Sequence, residues 1–205
     1  MNEFHEKKSL EEMGSRIKSL INSDLIDWKI DKNHGVITTY VDSIVRVISL
    51  IKNDESLLFT QLIDLFGIDF DKRKPRFDIV YELLSTHHNQ RIRVKTSIDE
   101  STKVPTITNV FKSAPWYERE AYDMFGVLFD GNKDLRRILT DYHFDGHPLR
   151  KDFPLVGYVE TDFDDDSGEV VYKKVNLKQE YRDFDSISPW EGDWKHLLKN
   201  ENKES

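Results

Sequence analysis

The sequence predicts an α+β fold: a small, mostly antiparallel sheet with helices on one face, followed by a long extended C-terminal segment. Three observations carry this. Apolar residues recur at helical spacing in some stretches, they alternate with polar ones in others, and beyond Leu139 neither period is sustained. Alternation leaves one strand face in water, as antiparallel sheets allow, and helices then pack on the apolar face.

Taken in order, Ser9 opens the first predicted helix. Ser9 and Glu12 stand at capping-box spacing, and Leu10, Met13, Ile17, Leu20 and Ile21 fall on one face. Leu25–Ile30 and Val36–Val41 are predicted strands, joined through the turn-forming Asp31-Lys32-Asn33-His34-Gly35. Asp42 or Ser43 caps a helix to about Lys52, with Ile44, Val47, Ile48 and Ile51 inward. Leu57–Ile63 is a buried strand candidate. Phe77–Leu84 and Arg91–Ile98 form the clearest hairpin, around His87-His88-Asn89, because Ile92, Val94 and Thr96 alternate with Arg91, Arg93 and Lys95. Pro105–Lys112 predicts a short helix. Pro115 sits at the first position of another, where its missing N–H costs nothing, and Gly126 stops it. Within it Tyr117, Ala121, Met124 and Phe125 share a face.

The predicted organisation is an α+β domain over 1–126, an extended partner-wrapping segment over 127–198 and a disordered tail over 199–205. Inside the extension, Val159–Phe163 and Val170–Val175 predict a hairpin around Asp165-Asp166-Ser167-Gly168. A long ordered extension needs a surface to lie on.

Composition limits the function. The 205 residues are 38% apolar and 33% charged, thin in core formers for the length. A net charge of −8 disfavours phosphate-backbone binding, which needs clustered Lys and Arg. There is no cysteine, hence no disulfide, no thiolate-held zinc and no Cys-ligated iron–sulfur cluster. No apolar run approaches the ~18 residues of a membrane-spanning helix. The first twenty residues have four glutamates and no apolar core, unlike a secretory signal or an Arg-rich transit peptide. The expectation is a protein that works where it is made, or is made inside an organelle.

The motifs argue against chemistry. Glu118, Glu120 and Asp123 suggest an acid/base cluster, but i and i+2 on a helix point apart, and Arg119–Asp123 reads as an i,i+4 pair. Trp, Tyr and Arg clustered there are typical of an interface centre. Asp141, His143, Asp145 and His147 alternate like metal ligands, yet Gly146 and Pro148 break regular structure. A stand-alone metal enzyme using Asp141, His143 and His147 is therefore the alternative reading. Arg136-Arg137 and Arg150-Lys151 are basic pairs suited to carboxylates of this chain or a neighbour. No Gly-rich phosphate loop or nucleophile elbow occurs.

Glu118-Arg119-Glu120-Ala121-Tyr122-Asp123-Met124-Phe125-Gly126, then Asp134-Leu135-Arg136-Arg137-Ile138-Leu139-Thr140-Asp141, then Gly146-His147-Pro148-Leu149-Arg150-Lys151-Asp152-Phe153-Pro154, closely resemble one family's signature. It is the thirty-kilodalton subunit of respiratory NADH:quinone oxidoreductase (complex I). Gly157-Tyr158 and Ser188-Pro189-Trp190-Glu191 are also similar. The match is specific over Pro115 to Gly157 and looser elsewhere. The family usually carries His-Pro where this sequence has Asn132-Lys133, so no role of that His transfers.

The resemblance implies a non-catalytic subunit of the peripheral arm, supporting electron transfer from NADH to ubiquinone. It implies no cofactor in this chain, with FMN, iron–sulfur clusters and quinone in partner subunits. The expected partners are chiefly the hydrogenase-like large subunit and cluster-bearing subunits. The expected place is the cytoplasmic face of a bacterial inner membrane, or the matrix side if organelle-encoded. The equivalent subunit of a membrane-bound hydrogenase-type complex is a further alternative. The expected interface residues are Trp116, Glu118, Arg119, Glu120, Asp123, Arg136, Arg137, His147, Arg150, Lys151 and Trp190.

Overall fold

In a computed structural model, residues 3–177 and positions 179, 182 and 184 are described, with side chains from Leu10 onward. The first helix, α1, spans Glu3–Ile21 and buries Leu10, Met13, Ile17 and Ile21. It begins well before Ser9, which is an interior residue and not a cap. The residues ahead of it are mostly straight-chain helix formers, so nothing stops the helix there.

Strands β1 (Leu25–Asp31) and β2 (His34–Thr39) form the expected hairpin. Lys32 and Asn33 both have positive φ, 47° and 66°, the two-residue turn whose twist suits paired strands. Trp28 lies opposite Ile37, and a Cβ added at Gly14 of α1 would come within 2.5 Å of its indole. Gly35 is in similarly close contact with the same ring. The ring is thus held between helix and strand by two residues without side chains.

Helix α2 (Ile44–Asn53) buries the four expected residues, Ile44, Val47, Ile48 and Ile51. Ser43 does not cap it; its hydroxyl instead donates to Asp24 at 3.0 Å. The next strand, β3, runs over Gln61–Asp69, not Leu57–Ile63. Asp54 is the cause. Its side chain accepts from Ser56 N–H at 2.9 Å and its carbonyl from Leu57 and Leu58 N–H, while Leu58 takes φ 50°. Leu57 and Phe59 are buried from this turn, so their apolarity does not mark a strand.

Strands β4 (Phe77–Ser85) and β5 (Gln90–Ile98) complete a sheet of order β1-β2-β5-β4-β3. Three neighbouring pairs are antiparallel and one, β2 with β5, is parallel. Register places Ile37, Leu65, Tyr81, Leu83, Ile92 and Val94 on one face, and all are buried in the main apolar cluster. The other face carries ion pairs: Arg93 donates to Glu82 at 2.5 Å, and Arg73 pairs with Asp78.

Residues 105–112 do not form the expected helix. Val104–Pro105 is a short strand, β6, and 107–111 is a turn in which Ile107 O accepts from Val110 and Phe111 N–H. Position 104 precedes a proline and so favours extended backbone. Helix α3 (Ala114–Phe125) follows, with Pro115 in its first turn and Gly126 at φ 78° closing it. Then β7 (Phe129–Asp130) pairs parallel with β6. Gly67 of β3 is packed against the Phe125 ring, and it shares the sheet face of Trp28 and Gly14, so α1 and α3 cover the same side.

The polypeptide divides into two units between Leu155 and Val156, not at Gly126. Residues 127–155 therefore belong with the sheet and helices. The second unit holds an antiparallel hairpin of β8 (Val159–Asp164) and β9 (Glu169–Lys174), where one was expected. The expected tail over 199–205 lies outside the described residues.

Gly14→Ala tests the seat of Trp28. Helix propensity alone would add about 1 kcal/mol of stability, whereas overpacking costs about 1–3 kcal/mol. The expected outcome is a lower urea midpoint, partly restored by adding Trp28→Phe. A raised midpoint would contradict the packing.

Candidate functional site

The signature segments meet at the C-terminal end of α3, around one carboxylate. Asp123 is fully enclosed. Its Oδ2 accepts three successive backbone N–H groups, from Ile138 (2.9 Å), Leu139 (2.7 Å) and Thr140 (2.9 Å). Its Oδ1 accepts from Arg137 Nη1 at 2.8 Å and Thr140 Oγ1 at 2.5 Å. Burial opposes the charge, but the bonds from Thr140, Ile138 and Leu139 outweigh it and hold the carboxyl well below the usual range. An acid in the last turn of a helix also opposes the helix dipole, and these donors offset that.

This arrangement corrects two expectations. Arg119 and Asp123 do not form the i,i+4 pair. Asp123 pairs with Arg137, and Arg119 donates to the carbonyls of Arg136 (3.0 Å) and Arg137 (2.8 Å). Asp123 also offers no atom to a partner protein, because its own loop encloses it.

Glu118, likewise expected at an interface, is equally enclosed. Its carboxylate accepts from Thr106 Oγ1 (2.7 Å), Ile107 N–H (2.9 Å) and Asn132 Nδ2 (2.8 Å). None of these donors is charged. Burial therefore prevails over the hydrogen bonds and raises the Glu118 pKa. Asn132 thus has a definite role, since it satisfies a buried acid. Burial, then the Glu118 charge, pushes the Tyr81 hydroxyl up as well. Two carboxylates on one helix are perturbed in opposite directions.

A second aspartate anchors the far end of the same segment. Asp69, at the end of β3, accepts from Arg76 Nε (2.7 Å) and Nη2 (2.8 Å), and from Lys151 N–H (2.8 Å). Arg76 holds its carboxyl below the usual range. Arg76 also donates to Asp152 at 3.1 Å, and Arg150 to Phe125 O at 2.6 Å. The Arg76 and Arg150 guanidinium groups lie 4.9 and 5.3 Å from the Phe77 ring centre. Between the two anchors, Leu149 N–H donates to Met124 O at 3.1 Å and Arg137 to Gly146 O at 3.0 Å. His147 Nδ1 lies 2.9 Å from Asp123 O; a carbonyl only accepts, so Nδ1 carries the proton. Burial, with Arg150 and Arg137 nearby, lowers the His147 pKa and keeps the ring neutral. Gly126 has no room for a side chain, since a Cβ there would lie 2.6 Å from His147 Nε2.

Asp141, His143, Asp145 and His147 do not come together. Among the described residues no group of three or more His, Asp or Glu could hold a metal ion. Of the expected interface residues, Glu118, Arg119, Asp123, Arg136, Arg137, His147 and Arg150 have side chains bonded within this chain. Trp116, Glu120, Arg136 and Lys151 remain on the surface; Arg119 and His147 are partly covered; Trp190 lies outside the described residues. Sequence reasoning missed Asp69, Arg76, Thr106, Asn132 and Thr140. It also missed what the anchored segment displays: Leu139, Tyr142, Leu149 and Leu155 are 53–83% exposed.

The model of the family described as respiratory-chain NADH dehydrogenase, 30 Kd subunit, matches residues 37–159. Relatives named as the C subunit of NADH-quinone oxidoreductase include one from Paramagnetospirillum magneticum, 50% identical over 90% of this chain and 94% of its own length. One from Brucella abortus is 48% identical over 91% of this chain and 92% of its own. A protein in the structure of the membrane-bound sulfane sulfur reductase, an archaeal respiratory membrane complex, superposes with TM-score 0.62 at 25% identity. That match covers 71% of this chain and 86% of the other.

Asp123→Ala strands several donors and a partly buried arginine, which costs up to about 3–5 kcal/mol. Limited proteolysis of the full-length protein should then cut within 134–153. Protection equal to wild type would contradict the anchor. The two acids respond oppositely to pH. Asp123 stabilises above the unfolded carboxylate pKa of about 4, and that contribution is lost as pH falls through and below it. The Glu118 contribution is full below about 4.3 and is lost as pH rises toward its raised folded value. Urea titrations from acid to neutral pH should show a shallower acid loss in Asp123→Asn, and less loss on the rising limb in Glu118→Gln.

Proposed function

Because the chain belongs to the family of the respiratory-chain NADH dehydrogenase 30 kDa subunit, we propose that it is a non-catalytic subunit of a proton-translocating NADH:quinone oxidoreductase. In this reading it supports electron transfer from NADH to ubiquinone by holding the quinone-site and iron–sulfur subunits together. FMN, clusters and quinone belong to those partners, chiefly the hydrogenase-like large subunit and the cluster-bearing subunits. Its place is the cytoplasmic face of a bacterial inner membrane, or the matrix side in an organelle. No helix among the described residues is long and apolar enough to cross a membrane. The protein reaches the membrane through its partners.

The observation that carries this reading is the Asp123 anchor. It orders the backbone from Arg137 to Thr140 and so fixes Leu139, with Tyr142 and Leu149 nearby in sequence, as outward-facing apolar groups. A carboxylate saturated with backbone donors is held for shape; a general acid or base needs a site open to the proton it moves. Rigid exposed apolar side chains are how a protein presents an interface without an ordering cost on binding.

The test separates amount from turnover. Tyr142→Asp and Leu149→Asp, each in cells lacking the wild-type protein, should lower assembled complex on native gels several-fold. NADH:quinone turnover per assembled complex should stay unchanged. Full assembly with lost turnover would point to chemistry in this chain and overturn the reading.

A further inference from the structure

A cavity of about 540 Å³ opens where the end of α2, the approach to β3 and the turn before α3 meet. Among the described residues no carboxylate lines it, in a chain of 38 Asp and Glu with a net charge of −8. Lys52 forms part of its wall. The ammonium donates to Val110 O at 2.5 Å and lies 4.7 Å from the Phe111 ring centre. That carbonyl takes one of three protons and leaves two for other acceptors. Among the described residues neither Lys52 nor Lys112, at the rim, has an acid as partner. Asp54, two residues after Lys52, is already taken by Arg16 and Ser56. Thr60, Asn109 and Ser113 add two hydroxyls and an amide, whose side chains make no hydrogen bond to the described residues.

We propose that this cavity binds a small phosphate-bearing anion, free phosphate or a phosphate monoester, through Lys52 and Lys112. The inference goes beyond the subunit reading and needs only this chain. A half-buried ammonium without a counter-charge is the unfavourable group here, and a bound anion offsets it. The donor set selects the kind of anion. No arginine lines the cavity, so the planar fork that grips a carboxylate is missing. Lysines act as point charges and suit a tetrahedral phosphate, whose remaining oxygens accept from hydroxyls and amides on several sides. A metal cation is disfavoured, because two lysines repel it and no carboxylate holds it. Helix α3 opens beside the cavity, and its first turn holds no acid. Its end supplies no free donors, however. The N–H groups of Ala114 and Trp116 are bonded to Phe111 O and Ser113 O, and Pro115 has none. The side chains therefore carry the site. A volume of this size exceeds one phosphate and leaves room for the rest of a monoester.

The experiment titrates isotope-labelled full-length protein with inorganic phosphate, replacing chloride at constant ionic strength, and follows the amide NMR spectrum. Saturable shifts should cluster at residues 60–62 and 109–114. Lys52→Gln keeps a donor for Val110 O and removes the charge, and it should weaken binding by about tenfold. Lys112→Gln should weaken it several-fold. Lys112 is exposed, so this variant stays folded even where Lys52→Gln does not. Lys29→Gln, an exposed lysine on the opposite edge of the sheet from β3, should change nothing. Sedimentation with phosphatidic acid vesicles separates the two sources of a phosphate. Pelleting that Lys112→Gln abolishes assigns a lipid headgroup, and saturation by free phosphate without pelleting assigns a soluble ligand; either supports the site. Shifts that do not saturate, that spread over lysines across the surface, or that persist unchanged in both cavity variants would overturn it.

Discussion

One buried carboxylate organises the part of this molecule that identifies it. Asp123 gathers backbone donors from Ile138, Leu139 and Thr140, the Thr140 hydroxyl and the Arg137 guanidinium. A charge taken out of water is tolerated only when it is paired and fully hydrogen-bonded. The converse also holds: the loop can take this shape because a charge stands ready for N–H groups that no strand or helix satisfies. Glu100 then pairs with Arg150 and Asp69, itself held by Arg76, accepts from Lys151 N–H, so an aperiodic segment is fastened to the elements beside it.

Glu118 shows the same device without a cation. Thr106, Ile107 and Asn132 satisfy it, yet burial still favours its neutral form. The two acids, five residues apart on α3 and so roughly 140° apart around its axis, tie down different flanks: Asp123 the chain after Asp134, Glu118 the turn after β6 and the loop at Asn132. The signature's Glu118, Asp123, Arg137 and Arg150 are therefore internal architecture. The residues the signature leaves exposed include its apolar neighbours Leu139, Tyr142 and Leu149, together with Trp116, Glu120, Arg136 and Lys151.

Where side chains repeat with a local period, the fold was legible. The isoleucines and valine of α2, the alternation of β5, the β1–β2 turn and the glycine stop of α3 all follow from neighbours in sequence. The failures share a cause in longer range. Leu57 and Phe59 are apolar because a turn dips into the core, which mimics a strand. The parallel pairing of β2 with β5 depends on everything between them. Asp123 finds partners 14 to 17 residues away in a stretch without period. Charged residues in a helix read as solvated, so Glu118 and Asp123 were assigned to a surface that they never reach. An unmatched acid in the last helical turn was the one local hint, because it is unfavourable there without donors from elsewhere.

The central claim is that the signature clamps the chain to itself before any partner arrives. Amide hydrogen exchange at Ile138, Leu139 and Thr140 in the isolated full-length protein tests it directly. Strong protection of these three amides, collapsing in Asp123→Ala, is the expected result. Unprotected exchange in the isolated protein, with protection appearing only in the assembled complex, would contradict it.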